Sequence, residues 1–137
     1  MDVTAIRNAL ATALRTVVDA SGAQLESTGY AADSVDPPWA YVADMVGRYD
    51  ASMDGLVDLT ATVRLITSQS EDRRGQELLD AFLKDSGPTS VKAAIEADPT
   101  LGGLCSDLEV AGWDGYRPVD IGGVEKYGAD LTVVIYA

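Results

Sequence analysis

Apolar residues recur every three or four positions at the start of the chain: Val3, Ile6, Leu10, Ala13, Leu14, Val17 and Val18, with Arg7, Asn8, Arg15 and Asp19 opposite them. This is the period of a helix with one buried stripe. It predicts an amphipathic helix over residues 2 to about 21, with Asp2 as N-cap and Gly22 as the stop. From residue 27 to residue 36 the side chains are small, polar or turn-forming, and Pro37-Pro38 excludes a helix there. The aromatic and β-branched run from Trp39 to Val46 reads as a strand whose first residues, beside the prolines, are candidates for a sheet edge. The clearest strand follows over residues 56–67, where Val57, Leu59, Ala61, Val63 and Leu65 alternate with Asp58, Thr60, Thr62 and Arg64. A strand with one buried face is expected there, and the polar stretch 47–55 becomes a long hairpin loop.

The period then returns to helical. Ser68 and Glu71 have capping-box spacing ahead of Leu78, Leu79, Phe82 and Leu83, predicting a second helix to about Asp85. Gly87-Pro88 ends it, Thr89 or Ser90 caps a short third helix over 91–97, and Asp98-Pro99 closes that one. Three short strands, 108–113, 116–121 and 124–136, alternate with glycine turns to the end. The whole reads as one α+β domain over residues 1–137: a mainly antiparallel or mixed sheet with an N-terminal helix and a middle helix pair on one face.

Composition narrows what such a domain does. Ten Lys and Arg stand against 22 Asp and Glu, a formal charge of −12 with no histidine. Such a chain repels free nucleic acid and anionic membranes, because both are bound through Lys and Arg. No stretch approaches the roughly 18 apolar residues of a membrane span, and Met1-Asp2-Val3-Thr4 does not open an export signal. The lone Cys105 suits a reducing compartment and reads as core filler. Without histidine, imidazole-dependent triads and most zinc sites are excluded. Lys84, Lys92 and Lys126 all fall in segments that read as exposed, so no lysine nucleophile is expected and the chain reads as a non-enzyme without cofactor or metal.

Two motifs invite other readings. Asp50 to Asp58 matches the first nine positions of an EF-hand loop, with Gly55 sixth, but Ala61 stands where the bidentate Glu belongs and a strand follows. A turn between strands accounts for the same residues. The pairs Gly102-Gly103 and Gly122-Gly123 lack a P-loop lysine and read as turns, while Arg73-Arg74 is balanced by Glu71 and Asp72. Six tyrosines and two tryptophans against one phenylalanine favour places that are partly buried and partly wet, as subunit interfaces are. Trp39, Arg48, Tyr49, Trp113, Tyr116 and Tyr127 are the candidate partner-interface residues.

The order of elements, the helix start Asp72-Arg73-Arg74-Gly75-Gln76-Glu77-Leu78-Leu79-Asp80, the short helix and its exit over 90–103, Gly115-Tyr116 and the ending 121–135 resemble tail terminator proteins of siphophages infecting actinobacteria. That resemblance implies a virion protein at the tail/neck junction, assembled in the host cytoplasm. Its partners would be itself, in a homohexameric ring, the tail tube protein, and the head-tail connector or neck proteins. Double-stranded DNA would pass through the lumen without specific binding, and an acidic lumen suits that passage. Under it, the loop 47–55 is the candidate axial contact. Two other readings stand beside it: a connector or stopper protein of the same neck, and a monomeric α+β ligand-binding domain.

Overall fold

A computed structural model describes residues 2–18, 25–28, 38–50, 55–69, 73–121 and 123–137. Helix α1 spans Val3–Leu14, and strand β1, Glu26–Thr28, precedes β2, Trp39–Asp50, and β3, Gly55–Gln69. Helices α2, Arg73–Phe82, and α3, Val91–Glu96, lead into β4, Asp107–Ile121, and β5, Val124–Tyr136. The fold is α+β: a five-stranded sheet in the order β1-β2-β3-β5-β4, antiparallel except for the β1–β2 pair, with all three helices packed on it.

Asp2 caps α1 as expected, accepting from the Ala5 N–H at 3.1 Å, but the helix stops seven residues short of 21. Beyond Leu14 the chain tightens into turns, and Val17 leaves the helix to accept from the Leu25 N–H at 2.9 Å. The Arg15 guanidinium, free of the helix, donates to the Ser27 carbonyl from Nε and Nη2. Gly22 lies outside the described residues. That stapled segment is β1, which the sequence does not announce, and it pairs in parallel with Trp39, Ala40 and Tyr41. The start of β2 is therefore covered, and the expected sheet edge lies one strand further out.

The expected loop over 47–55 is mostly strand. Arg48 faces Asp58 and Asp50 faces Gly55 across the hairpin, leaving only residues 51–54, which lie outside the described residues. Ser68 belongs to β3, five positions before the start of α2 at Arg73, while Glu71 is outside the described residues. Helix α2 ends at Phe82, three residues before Asp85, because the chain tightens there. Leu83 N–H donates to both Leu79 and Asp80 carbonyls, and Thr89 Oγ1 takes the Ala81 carbonyl. Ser90 is the cap of α3, accepting from Ala93 N–H while its own hydroxyl donates to the Lys84 carbonyl at 2.6 Å. The two strands expected over 108–121 are one strand, interrupted by register shifts at Val110/Gly112 and Asp114/Arg117. Gly115 supplies the positive φ of 66° at the second shift.

Across the sheet the alternation becomes rows. Gly47, Leu59, Ile135 and Leu108 form one, and Met45, Ala61, Val133 and Val110 the next. Val42, Val63 and Leu131 form a third, and these rows meet Ile6, Leu10, Leu14, Leu79, Phe82 and Ile95 in one hydrophobic cluster that also holds Cys105. The other face carries Asp44, Val46, Asp58, Thr60, Thr62, Arg64, Asp130, Thr132 and Val134.

Two buried hydroxyls, those of Ser27 and Thr67, cost stability. The Thr67 hydroxyl is fully buried and finds no hydrogen-bond partner among the described residues. Thr67→Val keeps the shape and removes the desolvated oxygen, so a rise of about 1 kcal/mol in unfolding free energy is expected from urea titration. A fall would show that the hydroxyl is bonded in solution.

Candidate assembly surface

The six residues singled out by sequence separate into three places. Trp39 is only 2% exposed. Its ring stacks on Tyr41 at 4.3 Å and its Nε1 donates to Thr28 Oγ1, so it locks β1 to β2 and offers little surface to a partner.

Arg48 and Tyr49 stand near the β2–β3 turn: Arg48, opposite Asp58, is level with the last β3–β5 pair, Asp58↔Tyr136, and Tyr49, opposite Leu56, lies beyond it. Arg48 donates from Nε and Nη2 to Asp58 Oδ2 at 3.0 and 2.8 Å. Its side chain is 68% exposed even so, and Tyr49 is 79% exposed. This pair is a surface ion pair of little net stabilising value, and it leaves the guanidinium presented to solvent.

Trp113, Tyr116 and Tyr127 come together at the opposite edge of the sheet. Ring centroids are 6.1 Å apart between Trp113 and Tyr116 and 5.7 Å between Tyr116 and Tyr127. Tyr116 and Tyr127 pack on the core, and Tyr116 Oη donates to Asp80 Oδ1 at 2.7 Å, fixing β4 to α2. Trp113 remains 51% exposed and walls a groove of about 170 Å³ with Phe82, Leu83, Val110 and Leu131, with Asp85 and Lys92 also lining it.

Burial, reinforced by the hydrogen bond to Asp80 and its negative charge, pushes the Tyr116 phenol up to about 12, against an ordinary 10.0. A folded-state value above the unfolded one means the native protein holds a proton the unfolded chain has lost. Stability is therefore expected to fall as pH rises from about 10 to about 12, and Tyr116→Phe should flatten that part of the curve. Thermal melts across this range, wild type against variant, measure it.

The edge itself is guarded. The Val110 N–H donates to Glu96 Oε2 at 2.9 Å, Pro118 has no N–H, and two register shifts break the line of the strand. These are the devices by which a sheet edge avoids indiscriminate pairing. Burial raises the Glu96 carboxyl, but the Lys92 ammonium and the Val110 N–H outweigh it and hold the group below its ordinary value.

A feature not legible in the sequence occupies the open face. Arg64 donates to Asp130 from Nε and Nη2 at 2.8 and 3.2 Å and from Nη1 to Tyr41 Oη at 3.4 Å, joining three strands. The bonds to Asp130 raise the Arg64 guanidinium against a partial penalty from burial. Charges stand at several polar positions of these strands, and nothing local links residues 66 apart.

Of the calcium-loop residues, Asp58 lies within β3 accepting Arg48, and Asp50 pairs with Gly55 across the hairpin, so the helix-loop-helix setting is replaced by strands. Asp54 lies outside the described residues. Among the described residues no three His, Cys, Asp or Glu side chains gather as a metal site, and no helix is long and apolar enough to cross a membrane. Cys105 is buried, and burial pushes its thiol up, away from reactivity. No family model matches the chain, and a search of curated proteins returns no match.

Proposed function

We propose that this protein is a non-catalytic assembly subunit that works through matched surfaces. Within that class the reading we favour is a tail terminator of a long-tailed phage: a homohexameric ring on the head-proximal end of the tail tube that stops polymerisation and receives the neck proteins. The observation that carries it is the pair of separated exposed aromatics, Tyr49 on the projecting hairpin and Trp113 on a guarded edge. A ring subunit that caps a tube needs one contact region for its neighbours in the ring and a separate one for the tube, and two well-separated exposed aromatics suit that division. The edge around Trp113 supplies the contact between neighbours, and the hairpin end supplies the axial contact. The resemblance noted in the sequence and the −12 charge, which suits a lumen that DNA traverses, support the same reading.

Purified protein mixed with tail tubes and viewed by electron microscopy tests it. Wild type is expected to cap tube ends as rings. Tyr49→Ala should leave rings intact and weaken tube capping about tenfold or more, whereas Trp113→Ala should weaken the ring itself, as loss of a central aromatic anchor does. Capture by capsid portals in place of tubes would move the protein to the connector or stopper role. A 14.4 kDa monomer indifferent to both would return it to the ligand-binding alternative.

A further inference from the structure

We draw no further inference here: the strongest candidate, the open groove of about 400 Å³ between α1 and α3 lined by Ala9, Ala13, Ala94, Ala97 and Leu101, is a face of mainly small side chains, and nothing in the structure shows what covers it.

Discussion

Phe82→Ala is expected to lower the free energy of unfolding by about 3–5 kcal/mol, a large part of what holds a domain of this size together. Phe82 is the chain's only phenylalanine and is 1% exposed. It stands on the last turn of α2 and lines the groove beneath Trp113 together with Val110 and Leu131. Truncation removes apolar contacts from α2 and the β4–β5 side of the sheet at once, and the rigid strands around it cannot collapse into the space. Urea titration should show a lower midpoint at unchanged slope, which marks lost stability in an otherwise intact fold. Val46→Ala, at an exposed position on the open face, is the matched control and should change stability by less than about 0.5 kcal/mol. If the two variants unfold alike, the core lies elsewhere.

Gly128→Val is expected to cost about 3 kcal/mol for the opposite reason, overpacking. A Cβ built on Gly128 would meet Val119 Cγ2 at 2.9 Å, the Leu65 carbonyl oxygen at 3.1 Å and Ile66 Cδ1 at 3.2 Å. The first and third can yield by rotating a side chain. The second is backbone in the central β3–β5 ladder, and moving it disturbs pairing on both sides of β3. Gly47 provides the comparison: its nearest obstacle, at 2.9 Å, is the Leu56 side chain near the hairpin end. Gly47→Ala should therefore be close to neutral, because side-chain adjustment is offset by the reduced freedom of the unfolded chain. Guanidinium melts of the two variants side by side would expose an error in either half of this argument.

The fold was legible wherever a pattern ran long enough to be periodic. Nine residues of alternation, Val57 to Leu65, announced β3, and Leu78, Leu79, Phe82 and Leu83 announced α2. What escaped was decided by tertiary contact. Three residues cannot display a period of two, so β1 stayed hidden until the Arg15 guanidinium and the Trp39 indole showed what holds it. Helix α1 was overextended because Val17 and Val18 fit the helical stripe equally well as residues of a turning segment that returns to the same core. Gly115 reads as a break between two strands, but β5 pairs with β4 on both sides of it and the break becomes a bulge. The candidate surface was legible in part. Composition pointed to aromatics, and of those chosen Tyr49 and Trp113 are well exposed, Tyr116 and Tyr127 half-buried, and Trp39 buried. Sequence position alone does not say on which side of a sheet a ring will lie.

The strand order carries a consequence for how the molecule reaches its native state. The pairs β2–β3 and β4–β5 are neighbours along the chain and can zip locally, but the seam that joins them, β3 to β5, matches Leu59 with Ile135 and Leu65 with Ala129. Both middle helices lie in the excursion that this seam must close. Loop-closure entropy is therefore spent before the central contacts repay it, which places folding in the slower, millisecond-to-second regime of non-local topologies. A newly made chain cannot complete this five-stranded sheet until β5 has emerged, so that thirteen-residue strand acts as the release point for the sheet.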